Sequence, residues 1–194
     1  MDSKEVEKKK STGLFVGLVA FLILIICIVI VVMNLFTEKT TYITNEDGNV
    51  KTVSLICVTK SKSVSDAFFD VMDSVSSMQE MKVIFKNSKI NDVAYTATIK
   101  YADDVLAVRR EADFHAKYGL YMQNNGRDMN DFSPNFSVDA TEVKISLFAN
   151  VKQLNRAFAK IFLIDADSSI LSNYTPDVLS GIYSNKGFDC KIND

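Results

Sequence analysis

Proline, glycine, histidine and tryptophan are all scarce in this chain. Its 194 residues include two prolines, seven glycines, one histidine and no tryptophan. So few prolines and glycines argue against long disordered tails, which are usually rich in them. The single histidine, His115, has no second histidine or nearby cysteine with which to build a metal site or a catalytic pair. Motifs of hydrolases, nucleotide-binding loops and zinc proteases do not occur either, so we predict no enzymatic activity, no cofactor and no metal site.

The chain also lacks an excess of charge of one sign. Four of its 22 basic side chains and three of its 24 acidic ones lie in residues 1–13, which leaves 18 basic and 21 acidic groups in the remainder. A nucleic-acid partner requires a basic face, so we predict that none is bound.

Two acidic loops share only part of the pattern of a calcium site. Three residues take the first ligand positions of an EF-hand loop: Asp165, Asp167 and Ser169. That loop requires glycine at its sixth position and a bidentate glutamate at its twelfth, where this chain has Ile170 and Pro176. Residues 124–131 are rich in oxygen ligands but follow no metal spacing. We interpret both loops as solvated turns.

One long apolar segment has no charge at all. Residues 14–36 cover 23 positions, of which 18 are Leu, Ile, Val or Phe. As a helix, such a segment is about 34 Å long, enough to cross a hydrocarbon core of about 30 Å. A buried helix of a soluble protein is rarely apolar on every side over six turns. We therefore predict a transmembrane helix, with the membrane as its partner.

Basic residues favour a cytoplasmic N-terminus for this span. Four lysines precede it, whereas only Lys39 and Lys51 follow within about fifteen residues. A cleaved signal peptide has a shorter apolar region and a small-residue exit, and Cys27 lacks the small preceding residue that lipid attachment needs. We predict a single-pass signal anchor in the cell membrane, with four parts: a cytoplasmic basic head (1–13), the anchor (14–36), a polar stem (37–51) and an extracytoplasmic domain (52–194).

Several segments of the predicted external domain alternate between apolar and polar residues. They cover residues 53–60, 81–85, 93–101, 143–147 and 188–192. This period of two is typical of strands with one face on a core. Asn87-Ser88-Lys89 lies between the second and third segments, so these two are predicted to form a β-hairpin.

Four other segments show helical spacing. They are Ser65–Met78, Asp103–Met122, Val151–Ile164 and the segment from the candidate N-cap Thr175 to Gly187. Hairpin strands mixed with helices indicate an α+β domain, in which helices pack on an antiparallel sheet.

Two cysteines lie outside the span, in the first and last predicted strands. Cys57 and Cys190 each share a face with apolar neighbours and stand 133 positions apart. In an oxidising compartment, a bridge across that distance stabilises by about 4–5 kcal/mol in the entropy model. The alternative is that both are small buried hydrophobic residues, which is common for free cysteine. We favour the disulfide, although spacing alone does not bring the two Cα atoms within about 7 Å.

Three short motifs suggest a family resemblance. They are Leu55-Ile56-Cys57-Val58-Thr59-Lys60, Ile84-Phe85-Lys86-Asn87-Ser88-Lys89-Ile90 and Gly187-Phe188-Asp189-Cys190-Lys191. Over residues 52–194 the chain resembles the YehR-like small bacterial lipoproteins. The resemblance implies a compact α+β domain on the outer side of a bacterial membrane, and it implies no activity because that family is largely uncharacterised. The chain departs from the family in using a helix anchor in place of a lipid, and its segment 61–78 looks inserted.

Three functions are compatible with these features. The first is a membrane-anchored extracytoplasmic module that binds an unknown ligand, such as an envelope protein or polymer. The second is an envelope-acting hydrolase, which needs two acidic-loop carboxylates in one cleft, at least one with a perturbed pKa. The third is a structural subunit of a membrane assembly, in which the span pairs with other helices near Gly13 and Gly17. We favour the first.

Overall fold

A six-stranded antiparallel sheet forms the centre of the structure, a computed structural model that describes residues 51–193. The strands are β1 (Thr52–Thr59), β2 (Ser76–Lys86), β3 (Lys89–Lys100), β4 (Asn135–Asp139), β5 (Glu142–Asn150) and β6 (Asp189–Asn193). Their order across the sheet is β4-β5-β3-β2-β1-β6. Helices pack on this sheet, so the predicted α+β class is confirmed. The predicted head, the predicted anchor and nearly all of the predicted stem lie outside the described residues.

The hairpin of β2 and β3 is confirmed, and its strands are longer than predicted. The two strands pair from Ser76 opposite Lys100 to Lys86 opposite Lys89. The two residues between them, Asn87 and Ser88, have φ angles of 51° and 63°. Two successive left-handed residues form the tight turn that matches the twist of a hairpin, and asparagine is favoured there.

One face of the sheet carries the core. Its fully buried side chains include Leu55, Val83, Phe85, Val93, Ile99 and Leu147. Each side chain of this kind contributes about 1.5–3 kcal/mol when it leaves water, so this face supplies a large part of the hydrophobic stabilisation. On the opposite face, Lys82, Thr96 and Lys144 are exposed. The alternation seen in the sequence therefore separates a buried face from a solvated one.

The first helix, α1 (Asp104–Asn124), lies against β4 and β5. Asp103 is its N-cap, with a side-chain oxygen that accepts a hydrogen bond of 2.7 Å from the N–H of Leu106. Its buried residues recur at helical spacing: Ala107, Phe114, Tyr118 and Met122. The predicted helix Asp103–Met122 is thus confirmed, and its apolar stripe faces the core. No helix within residues 51–193 is long and apolar enough to cross a membrane.

The helix predicted over Ser65–Met78 is wrong. Asp66 has a φ of 59°, a left-handed conformation that interrupts a right-handed helix. At the other end the chain joins the sheet, because the N–H of Val75 donates to the carbonyl of Lys100 in β3 at 2.7 Å. Val75 and Met78, two members of the supposed apolar stripe, are 59% and 49% exposed. The helical spacing of apolar residues here is coincidental.

The single helix predicted over Val151–Ile164 is also wrong. The segment forms three short pieces: a 3₁₀ turn at Val151–Gln153, the helix α2 at Arg156–Ala159 and a 3₁₀ turn at Lys160–Phe162. Leu154 is extended between the first two pieces, with φ −88° and ψ 122°. Asn155 then starts a new helix, since its side chain accepts a hydrogen bond of 3.0 Å from the N–H of Phe158. A strong N-cap residue inside the segment breaks the predicted helix.

Two further helices complete the domain, α3 (Ser168–Leu171) and α4 (Pro176–Asn185). The predicted start of α4 is confirmed, because the Thr175 hydroxyl accepts a hydrogen bond of 3.4 Å from the N–H of Val178. Its predicted end is confirmed too, since Gly187 follows with a φ of 91°. A glycine there reverses the chain without a Cβ clash and leads it into β6.

Candidate functional site

The structure brings Cys57 and Cys190 together. Cys57 lies directly opposite Cys190 in the antiparallel pair of β1 and β6, and their Sγ atoms are 2.08 Å apart. Cys57 is fully buried and Cys190 is half-buried at the sheet edge. The pairing predicted from the two strands therefore agrees with the geometry. It links the edge strand β6 to its neighbour β1.

A cleft of about 300 Å³ opens where the loop after β1, the segment after α2 and the end of α4 meet. Its lining residues are Asp66, Lys160, Leu163, Ile164, Asp165 and Lys186. This volume is at the lower end of the range for small-molecule sites, which hold a few convergent polar groups above an apolar surface. We refer to it as the Lys160 cleft.

Local backbone geometry builds the apolar floor of the Lys160 cleft. Leu163 takes a left-handed conformation, with φ 60° and ψ 22°, and ends the 3₁₀ turn that carries Lys160. The N–H of Ile164 then donates back to the carbonyl of Ala159 at 3.0 Å. As a result Leu163 and Ile164 are buried, while the Lys160 side chain on the preceding turn stays exposed.

One ion pair links two walls of the cleft. The ammonium of Lys186 lies 2.9 Å from the carboxylate of Asp66 and is itself largely covered, with a side-chain exposure of 19%. The hydrogen bond and the charge of Lys186 hold the pKa of Asp66 below its ordinary value. Asp66 is therefore a stable anion that holds Lys186 in place.

A second group of charges forms the other wall. The guanidinium of Arg156 donates to both oxygens of Asp165, at 2.8 and 3.2 Å, and this hydrogen bonding lowers the pKa of Asp165. This bidentate contact provides both carboxylate oxygens with a hydrogen-bond donor. Among the described residues, the Lys160 ammonium has one carboxylate within 4 Å, that of Asp165 at 3.9 Å. Its three N–H donors thus remain available to a ligand.

The acidic loop with Asp165 and Asp167 lies at this cleft, and its carboxylates accept hydrogen bonds from another residue of the chain. The Asp167 carboxylate accepts the N–H of Arg156 at 3.2 Å, and its carbonyl accepts the N–H of Leu171 at 2.9 Å. With Asp165 held by Arg156, both carboxylates have partners within the chain. Within residues 51–193, no group of three or more His, Cys, Asp or Glu side chains is arranged to hold a metal ion.

The other residues considered in the sequence lie away from the cleft or in the core. His115 is exposed and stacks on Phe136, with 5.1 Å between ring centroids. Tyr118 is fully buried in the core, and the Tyr121 hydroxyl donates to a backbone carbonyl at 2.7 Å. The loop at 124–131 forms solvated turns, with an Arg127–Asp131 ion pair of 3.5 Å.

The basic residues of the cleft were not found from the sequence. Lys160 and Lys186 are 26 positions apart and come from different elements, and Asp66 comes from a loop that was predicted to be helical. No local spacing links these three residues. Only the folded chain places them around one cleft.

Comparisons with known proteins add little to this geometry. No family model matches the chain, and no curated protein matches it. A solved structure described as "NMR structure of the protein from Streptococcus pneumoniae TIGR4" aligns with 80% of this chain and 93% of that chain. The two are 14% identical, with a TM-score of 0.39. That likeness says nothing about what this chain binds, and the resemblance to YehR-like lipoproteins remains a prediction.

Proposed function

We propose that this protein is a membrane-anchored extracytoplasmic binding module and that the Lys160 cleft is its binding site. The single observation that carries the proposal is the cleft itself, in which charged side chains from three elements surround an apolar floor. Sites that recognise ligands combine these two features. The uncharged segment at residues 14–36 supports the anchor, and the paired cysteines support an oxidising compartment.

The charges of the cleft favour a ligand with an anionic group beside an apolar part. The Lys160 ammonium has unused donors, whereas both carboxylates of the cleft are engaged by basic side chains. An anion placed at Lys160 would gain charge-assisted hydrogen bonds. The apolar part of the ligand would then cover Leu163. An envelope protein or polymer with acidic groups fits this description.

A hydrolase that uses the same cleft is the second candidate. Asp66 and Asp165 do line one cleft, as acid–base chemistry requires. Basic neighbours lower the pKa of both carboxyl groups, however, whereas a general acid needs a raised pKa to keep its proton near neutral pH. This direction favours binding over acid–base hydrolysis. The helix pairing of a structural subunit concerns Gly13 and Gly17, outside the described residues.

Site-specific photo-crosslinking in cells that express the full chain tests this proposal. One variant carries a photoreactive amino acid in place of the exposed Ser65, next to the cleft residue Asp66, so that Lys160 is kept, and a matched control carries it in place of Lys82 on the exposed face of the sheet. We expect the position-65 variant to form a distinct adduct after irradiation, and we expect the added substitution Lys160→Glu to reduce that adduct at least tenfold. Equal adducts at positions 65 and 82, or none at position 65, would contradict the binding role of the cleft.

A further inference from the structure

The strand β4 leaves one edge of the sheet unpaired within the described residues. It contains five residues, Asn135–Asp139, and all but Phe136 are exposed. Val138 lies on the core side of the sheet, opposite the fully buried Val143, and yet it is 38% exposed. A free edge offers backbone donors and acceptors to another strand, and proteins usually protect it with charges, bulges or cover.

The hairpin of β4 and β5 shows which backbone groups are free. A two-residue turn joins Asp139 to Glu142, so these two residues form a hydrogen-bonded pair. Such pairs alternate along an antiparallel ladder, and Asn135 and Ser137 therefore also direct their backbone groups toward β5. The N–H and C=O groups of Phe136 and Val138 point the other way, toward the open edge.

One antiparallel arrangement of two β4 strands uses all of these groups. If Ser137 lies opposite Ser137 of a second copy, Phe136 of each chain lies opposite Val138 of the other. Both pairs are then of the hydrogen-bonded type, which gives four N–H···O=C bonds across the two chains. The symmetry is self-complementary, as a twofold interface requires.

The side chains of β4 also match in this register. Phe136 meets Val138 of the second copy on the core side, where an aromatic ring beside a β-branched side chain is a favourable cross-strand pair. On the other side, the amide of Asn135 meets the carboxylate of Asp139. Donor thus faces acceptor, and like charges do not meet.

The opposite edge of the sheet does not match in this way. An antiparallel pair of two β6 strands (Asp189–Asn193) centred on Lys191 would place two ammonium groups directly opposite each other. Like charges in that position are destabilising, and an edge lysine is a common protection against strand pairing. Of the two edges, β4 is therefore the one suited to self-association.

We propose that β4 is a dimerisation edge, at which a second copy of this chain adds its β4 in antiparallel register centred on Ser137. The pairing joins the two six-stranded sheets into one continuous sheet of twelve strands. It requires neither the ligand of the Lys160 cleft nor the predicted anchor, because every residue involved lies in β4.

Disulfide trapping of the purified full-length chain in detergent tests the register. In a Cys27→Ser background, Ser137→Cys places two thiols opposite each other in a non-hydrogen-bonded pair, at about 4.5 Å between Cα atoms. We expect mild oxidation to give a reducible dimer. The matched control on the same strand, Asn135→Cys, separates its two thiols by about 14 Å and should give at least tenfold less dimer.

A mixture of two variants provides a second check of the register. One chain carries Asn135→Cys and the other carries Asp139→Cys, and tags of different length distinguish the two on a gel. They should form a mixed disulfide dimer, because position 135 of one copy lies opposite position 139 of the other. Equal trapping of Ser137→Cys and Asn135→Cys, or no dimer from either, would overturn the proposal.

Blocking variants separate dimerisation from folding. Val138→Pro removes an N–H that points to the open edge, so the sheet of each copy keeps its own hydrogen bonds. Ser137→Lys places two ammonium groups opposite each other, and Thr96→Lys on interior strand β3 is its matched control. We expect both β4 variants to raise the dimer dissociation constant at least tenfold by light scattering, while Thr96→Lys leaves it unchanged. A dimer that persists in Ser137→Lys would overturn the proposal.

Discussion

Cys57 and Cys190 lie directly opposite each other in the sheet, and their Sγ atoms are within bonding distance. One belongs to the first strand of the described domain and the other to its last. A bond between them encloses a chain segment with a separation of 133 residues, which contains four strands and every helix described. The last strand is short and at an edge, so this link reinforces its backbone pairing with β1.

Removal of this link should destabilise the domain. We expect the double variant Cys57→Ala, Cys190→Ala to lose about 2–5 kcal/mol of unfolding free energy, because its unfolded chain regains the freedom of a long loop. Urea unfolding of the full chain in detergent measures this loss. A reducing agent should destabilise the natural chain by a similar amount and leave the double variant unchanged. An equal response of both chains would contradict the role of the bond.

Two buried tyrosine hydroxyls should respond in opposite ways to substitution. The Tyr183 hydroxyl donates to the carbonyl of Phe162 at 3.0 Å, so Tyr183→Phe should lower the unfolding free energy by about 1 kcal/mol. The Tyr101 hydroxyl is buried and has no hydrogen-bond partner within residues 51–193. Tyr101→Phe removes a desolvated group without losing a bond and should raise the unfolding free energy by about 1 kcal/mol. Equal losses in both variants would show that Tyr101 has a partner.

Stability should fall steeply in alkaline solution. Burial, reinforced by the negative charge of Asp73, raises the pKa of Tyr101 to about 12, and burial raises the pKa of Tyr95, Tyr118 and Tyr183 as well. In the unfolded chain a tyrosine loses its proton near pH 10, so the folded state holds more protons above that pH. Each of these tyrosines therefore lowers the unfolding free energy by up to about 1.4 kcal/mol per pH unit above pH 10.

Urea unfolding at pH 8, 10 and 11 checks this dependence. The unfolding free energy should change little through these groups up to about pH 10 and then decline. The unfolding free energy of the variant Tyr101→Phe should decline less steeply, by up to about 1.4 kcal/mol per pH unit, because one proton fewer is released on unfolding. A free energy that stays flat to pH 11 would mean that the tyrosines reach solvent in the folded state.

The β2–β3 turn should accept glycine with a gain in stability. Ser88 has a φ of 63°, and a left-handed conformation is strained for any residue with a Cβ. We expect Ser88→Gly to raise the unfolding free energy by about 0.5–1 kcal/mol. Ser180→Gly, inside helix α4, is the matched control and should lower it by about 0.5–1 kcal/mol. A loss in both variants would contradict the strain at Ser88.

Much of the sheet could be predicted because its strands have one buried face. Alternation from Val93 to Tyr101 and around Cys57 reflects that burial directly, and both segments form strands. Helix α4 was equally clear, since Thr175, Pro176 and Gly187 determine where it begins and ends. These signals are local, so the sequence contains them in full.

The features that could not be predicted, strand β4 and the Lys160 cleft, lack such local signals. Strand β4 was missed because only Phe136 and Val138 face the core, and neither is fully buried at the edge. The Lys160 cleft was missed because its walls come from elements far apart in the chain. Both features depend on contacts that exist only after the chain has folded, as does the self-complementary edge of β4.

Cysteine labelling across the membrane tests the central claim, a binding domain held outside the cell by an N-terminal anchor. In a Cys27→Ser background, one full-length variant carries Thr96→Cys on the exposed sheet face and another carries Ser3→Cys in the predicted head. Cells with an intact cytoplasmic membrane are treated with a membrane-impermeant maleimide. We predict that the Thr96→Cys chain is labelled at once and that the Ser3→Cys chain is labelled only after lysis. The reverse pattern would place the domain in the cytoplasm and contradict the account.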